Sequence, residues 1–137
     1  MLLDAKPPKP PSKIKRLLPI SILIPLILIL LIAGSLLSIR FWNIRQEHAV
    51  SRFMTALEEG KYEDAYKLWQ PSPSYSYNDF LHDWGEQGDY GKVRKFEILD
   101  SESKGATVIV TVKVNDVTPP VELLVTRKTL GLAYSPF

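Results

Sequence analysis

Residues 106–114, ATVIVTVKV, read as a β-strand, and that reading decides the fold class. Val108, Val110, Val112 and Val114 recur at every second position, with Thr107, Ile109, Thr111 and Lys113 between them. A repeat of two sends alternate side chains to opposite faces of a sheet, and β-branched residues suit a pleated surface. On the N-terminal side, KVRKFEIL (92–99) alternates in the same way through Phe96 and Ile98, and SESKG (101–105) is expected to be the turn between two strands. On the C-terminal side, NDVTPP (115–120) turns the chain, with Pro119 and Pro120 stopping pairing at the start of the next strand. VELLVTRK (121–128) puts Val121, Leu123 and Val125 on one face, and TLG leads into a last short strand within LAYSPF (132–137). Turns this short exclude parallel crossovers, so an antiparallel meander of three or four strands is expected.

Upstream of Tyr90 the repeat lengthens to that of a helix. Val50, Phe53, Met54 and Leu57 fall at i, i+3, i+4 and i+7, which makes one apolar stripe on a helix from Asn43 to Glu59, ended by Gly60. Tyr62, Ala65, Tyr66 and Trp69 repeat the pattern before Pro71. Ser76 then has the character of an N-cap, with Asp79 three residues on, and Tyr77, Phe80, Leu81 and Trp84 form a third stripe. Asp79, His82, Asp83 and Glu86 lie opposite it, as a solvated face, and Gly85 and Gly88 end the helix. Three short helices followed by a meander imply an α+β layer arrangement in which the helices roof a curved sheet.

Before these helices, Leu17 to Ile39 is a run of 23 residues without a charge, dominated by Leu and Ile. As a helix it would span about 34 Å, enough for a hydrocarbon core of about 30 Å. Pro19 lies near the first turn, Pro25 deeper, and Phe41 and Trp42 follow as an interfacial aromatic anchor. The run exceeds the apolar core of a cleaved signal peptide, although AGS at 33–35 offers small residues for cleavage. LIAGS resembles a lipoprotein box, but Ser35 stands where the acylated cysteine would be, and the chain has no cysteine at all. That absence also excludes disulfides, thiolate metal sites and a cysteine nucleophile.

The expected organisation is therefore a basic, proline-rich tail over 1–16, a transmembrane helix over 17–42 and an extramembrane domain over 43–137. The formal charge of +2 divides into +4 on residues 1–16, from Lys6, Lys9, Lys13, Lys15 and Arg16 against Asp4, and −2 on the remainder. A folded part without net positive charge argues against nucleic acid as a partner. Five cations before the span outnumber Arg40, Arg45 and Arg52 after it, so the N-terminus is expected inside and the domain outside the cytoplasmic membrane. KPPKPPSK is read as a polyproline-biased tail able to touch anionic head groups or an aromatic groove.

Two segments carry a family resemblance. FMTALEEGKYEDAYKLWQP (53–71) gives an aromatic, a helix, a glycine, an aromatic and a second helix ending near proline. YNDFLHDWGEQGDYGKVRKFEIL (77–99) gives a short helix leading past a glycine into a strand. Together these resemble the nuclear transport factor two-like superfamily, over residues 46–137, and among its members the small bacterial domains behind a single membrane helix. The resemblance implies a cone-shaped, strongly bent sheet wrapped around helices. It also implies either an enzyme, such as an isomerase, dehydratase or cyclase with an Asp, His or Tyr inside the cone, or a non-catalytic binding module. Fold alone does not choose between them. Members often end with a tryptophan in the last strand, where this chain has Leu132 and Tyr134.

No glycine-rich phosphate loop, HExxH, GxSxG or Walker pattern is present. His48 lies one residue off the first apolar stripe, and His82 sits among carboxylates assigned to solvent, so neither stands as a general base. No catalytic residue, metal site or cofactor is expected. The ligand or partner pocket is expected at Tyr62, Tyr66, Trp69, Phe80 and Trp84. The resulting expectation is a membrane-anchored, non-catalytic binding domain, more in keeping with a non-enzyme than an enzyme, whose partners are the lipid bilayer and a protein or a second copy of the chain. The alternatives are an enzyme acting on a small hydrophobic substrate in the cone, and an accessory or assembly subunit of a membrane complex.

Overall fold

The computed structural model describes residues 7–9 and 19–136. Most of the expected tail, the first two residues of the expected span, and Phe137 lie outside the described residues. The chain divides into two compact units, Met1–Leu36 and Leu37–Phe137.

In the first unit runs most of α1 (Ile20–Trp42), a helix long and apolar enough to cross a membrane. Its large side chains are exposed, Ile20 at 70% and Leu30 and Leu31 at 63%. Pro25 lies inside the helix. Ser35, the one polar side chain near its middle turns, donates its hydroxyl to the carbonyl of Leu31 at 2.7 Å, which satisfies it without water.

The second unit holds α2 (Ile44–Glu58), α3 (Tyr62–Trp69) and α4 (Tyr77–Trp84). These are followed by β1 (Phe96–Lys104), β2 (Thr107–Val114), β3 (Val121–Thr126) and β4 (Leu132–Tyr134). The strands form one open antiparallel sheet in the order β1-β2-β3-β4, an α+β architecture. Helix α2 begins one residue after α1 ends, and Asn43 between them accepts the first backbone bonds of α2. At its other end, Lys61 N–H reaches the carbonyl of Ala56 while Gly60 adopts φ +73°, the left-handed turn that glycine takes without strain. Ser76 and Asp79 cap α4 reciprocally: each side chain accepts the other's backbone N–H.

The alternation that defined β2 is realised. Val108, Val110, Val112 and Val114 are fully buried, and Val50, Phe53, Met54 and Leu57 of α2 meet them with no exposed surface of their own. Each such side chain contributes about 1.5–3 kcal/mol relative to exposure, so the α2–sheet layer is the stabilising centre of this unit. Helix α2 packs on β1, β2 and β3, α3 on α2 and β4, and α4 on α3. The roofing is therefore done by α2 and α3, and α4 reaches the sheet through the ring of Trp84 lying against Tyr134.

One expectation is corrected. SESKG is not a turn: Ser101–Lys104 continue β1, paired with Thr107–Val110, and the turn is Gly105–Ala106. A bulge makes this possible. Ile98 opposes Val112 and Asp100 opposes Thr111, so Leu99 is an extra residue that bends the strand and lets the polar stretch stay in register. Ser101 and Ser103 then fall opposite Val110 and Val108, on the inner face, where they meet polar partners at the start of α2. Asn43 donates to the carbonyl of Ser101 at 3.2 Å, Ser103 donates to Asn43 Oδ1 at 2.9 Å, and Ser101 donates to Glu47. Arg127 completes the cluster, donating to Asn43 Oδ1 at 2.9 Å, Ser103 Oγ at 2.7 Å and the carbonyl of Gly105 at 3.1 Å.

The last strand has a definite register. Leu132 opposes Val125 and Tyr134 opposes Leu123, so Leu132 is buried and Tyr134 lies on the same face at the sheet edge.

Candidate functional site

The expected pocket aromatics separate into three settings. Trp69, Phe80 and Trp84 join Phe53 as a packed cluster with ring centroids 5.2 to 6.4 Å apart. Phe53, Phe80 and Trp84 have no exposed surface and Trp69 has 5%. Tyr66 is half-buried against Phe80 and Tyr77, and its hydroxyl donates to the carbonyl of Tyr75 at 2.7 Å. Tyr62 lines a separate open groove with Gly60, Lys61, Glu63, Asp64 and Tyr77. The rings fill the space between helices and sheet.

The polar chemistry gathers instead at the rim of that cluster, around Asp83. The solvated face expected on α4 is only partly so. His82 is exposed, with its side chain 80% accessible, and Asp79 is spent on the cap. Asp83 turns inward, its side chain 24% accessible, because Tyr75 donates to its Oδ2 at 2.6 Å. Tyr75 is itself held by the bond from Tyr66 to its carbonyl and by a turn in which its N–H meets the carbonyl of Ser72.

The loop after α4 supplies the other wall. Gly85 and Gly88 lie so close to the helix end that a Cβ on either would meet backbone carbonyl oxygen, Leu81 O at 2.2 Å or Asp83 O and His82 O at 2.7 Å. Only glycine lets the chain fold back this tightly. The Asp89 N–H consequently reaches the carbonyl of His82 at 3.2 Å, and Tyr90 stacks on Trp84 at 4.6 Å. Tyr134 arrives from β4, 5.1 Å from Trp69 and 5.9 Å from Trp84, nearly parallel to the latter.

Burial raises the phenols of Tyr75, Tyr134 and Tyr90 above the ordinary tyrosine value. For Tyr75 the bond to Asp83 and that carboxylate's charge add to it; for Tyr134 the charge of Asp83 is the next cause, and for Tyr90 those of Asp89 and then Asp83. All three are therefore neutral donors at physiological pH. One ligand atom each from His82, Asp83 and Asp89 lies within 4.8 Å of the others, a donor set chemically able to approach a cation. The Trp84 Nε1–H is buried with no acceptor among the described residues.

Tyr75, Asp89, Tyr90 and Tyr134 were not among the expected site residues. The close glycines of GEQGDYG were the one sequence signal for Asp89 and Tyr90. Compared with protein-family models, curated proteins and solved structures, the chain matches none.

Proposed function

We propose that this chain is a membrane-anchored, non-catalytic interaction domain. On this reading α1 spans the cytoplasmic membrane of a bacterium, with the N-terminus inside and the α+β unit displayed outside. The unit is a small relative of the nuclear transport factor two-like cone. The excess of Lys and Arg ahead of the apolar run supports the orientation, and the order of helices and meander supports the kinship.

The observation that carries the non-catalytic reading is the ring packing. An enzyme of the cone type holds its substrate between helices and sheet. Here Phe53, Trp69, Phe80 and Trp84 fill that space, and His82 faces solvent. What remains for recognition is the rim of tyrosines around Asp83, a composition rich in the residue types that anchor protein interfaces.

The test is site-specific photocrosslinking of the full chain in its own membranes. A photoreactive residue at position 134 should give one discrete adduct, and the same residue at Lys67, on the exposed side of α3, should give none. Unadducted chain at both positions would sink the proposal.

A further inference from the structure

The end of the α+β unit beside Trp42 carries a groove with one apolar wall and one cationic wall. It is lined by Ile39, Trp42, Ser103, Gly105 and Arg127, all of which belong to the compact unit Leu37–Phe137. Ile39 and Trp42, from the last turns of α1, supply the apolar wall and are 69% and 67% exposed.

Arg127, half-buried, gives the other wall its charge. Its Nε donates to the carbonyl of Gly105 at 3.1 Å, its Nη2 to Asn43 Oδ1 and Ser103 Oγ, and its Nη1 to the carbonyl of Trp42 at 3.4 Å. Each of these acceptors is neutral. They orient the guanidinium and leave its charge uncancelled, for among the described residues no carboxylate pairs with it. The carboxylates of the adjoining segments are engaged elsewhere, Glu47 by the Ser101 hydroxyl and Glu102 by Lys104 at 2.7 Å. Nη1 carries two hydrogens, and its single long contact leaves it able to donate again.

We propose that this groove binds an anionic phospholipid of the leaflet from which α1 emerges. The phosphate meets Arg127, and the glycerol and upper acyl chain lie along Ile39 and Trp42. This rests on the reading that α1 spans a membrane, which puts Trp42 at head-group level.

The two walls select the occupant together. A soluble phosphate would meet Arg127 and leave Ile39 and Trp42 bare. An apolar peptide would cover those side chains and leave a guanidinium without a counterion in a drier setting, which is costly. A zwitterionic lipid brings its own cation to the phosphate and gains less from a second one. An anionic lipid satisfies both walls, and the planar fork of a guanidinium suits phosphate oxygens.

The full chain is reconstituted in vesicles holding equal amounts of phosphatidylglycerol and phosphatidylcholine, with bromine on the acyl chains of one lipid or the other. Surface charge is then identical in the two preparations, and only the label moves. Trp69 and Trp84 are buried, so quenching of fluorescence reports Trp42. Brominated phosphatidylglycerol should quench it with a preference of about fivefold, the enrichment one cation at a membrane surface supports. Arg127→Met should abolish the preference. Arg127→Lys, which keeps the charge without the fork, should retain part of it, so lost packing and lost charge are told apart. Gly105→Asp sets a carboxylate at the rim without removing the bonds to Asn43. Space around that Cβ is open, and Asp and Asn tolerate the left-handed φ of +59° better than most residues. Gly105→Asp should abolish the preference, and the neutral match Gly105→Asn should keep it. Near-ultraviolet circular dichroism checks the fold of each variant.

Equal quenching by the two lipids in the parent, or a preference unchanged in both Arg127→Met and Gly105→Asp, would overturn the proposal and leave the membrane reading standing. Loss of the preference in excess soluble glycerol 3-phosphate would overturn the choice of a lipid. No quenching by either lipid would remove the membrane reading and the proposal with it.

Discussion

Arg127 Nη2 lies 2.9 Å from Asn43 Oδ1, joining the end of β3 to the first residue before α2 across more than eighty positions of sequence. The same guanidinium reaches Ser103, the carbonyl of Gly105 and, at 3.4 Å, the carbonyl of Trp42. Asn43 is 5% exposed, so the bonds made to its amide replace those that water would have made.

Replacing Arg127 by methionine therefore removes every charged donor from this cluster while keeping most of the side chain's bulk. The expected loss of stability is about 1–3 kcal/mol, read from urea unfolding of the full chain in detergent. Arg127→Lys should recover little, because an ammonium does not reproduce the planar fork that serves four acceptors. Lys128→Ala, at an exposed neighbouring position, should change stability by no more than about 0.5 kcal/mol.

Gly88→Ala tests the loop that carries Asp89 and Tyr90. The new Cβ would sit 2.7 Å from two backbone carbonyl oxygens, which no side-chain rotation relieves. The loop must move, at about 1–3 kcal/mol, and Tyr90 must leave its place on Trp84. Tryptophan fluorescence of the folded variant should change along with its unfolding midpoint. Gly34→Ala, with open space around the Cβ, is the matched control.

Much of the fold was legible because the dominant residues obey one period at a time. The four valines of β2 and the stripe of α2 are buried as their spacing requires, and the Ser76–Asp79 cap follows from two residues three apart. The end of β1 was illegible for an equally physical reason. Ser101 and Ser103 share a sheet face with Val110 and Val108, and their polarity signals a turn unless Asn43 and Arg127, far away in sequence, are known to meet them. The rim site was hidden in the same way. Asp83 lies on the polar side of its helix by spacing, and it meets the hydroxyl of Tyr75, eight residues earlier, on its inward side.

The buried phenols give the protein an alkaline limit. Tyr75, Tyr90 and Tyr134 are held above the ordinary tyrosine value by burial, so the unfolded chain releases its tyrosine protons first. Their contribution to stability is fully present below about pH 10 and is lost as pH rises from there through the raised folded-state values. A tyrosinate absorbance titration should show these phenols resisting ionisation until the chain unfolds. Tyr134→Phe should flatten the fall of stability above about pH 10 relative to the parent.

The bond between Tyr75 and Asp83 can be separated from the packing around it by a double-mutant cycle. Tyr75→Phe removes the hydroxyl and keeps the ring that lies 6.1 Å from Trp69 and 6.5 Å from Phe80. It leaves Asp83 Oδ2 without that donor in a half-buried position. Asp83→Asn keeps an acceptor but removes the charge that strengthens the bond. Each single variant should lose stability, Tyr75→Phe by about 1–2 kcal/mol given the carboxylate's partial access to water. The double variant should lose less than the two added together, because the second change finds the bond already gone. Urea unfolding of the four proteins measures the coupling. Strict additivity would show that Tyr75 and Asp83 act independently, and that the inward turn of Asp83 is set by the glycine loop alone.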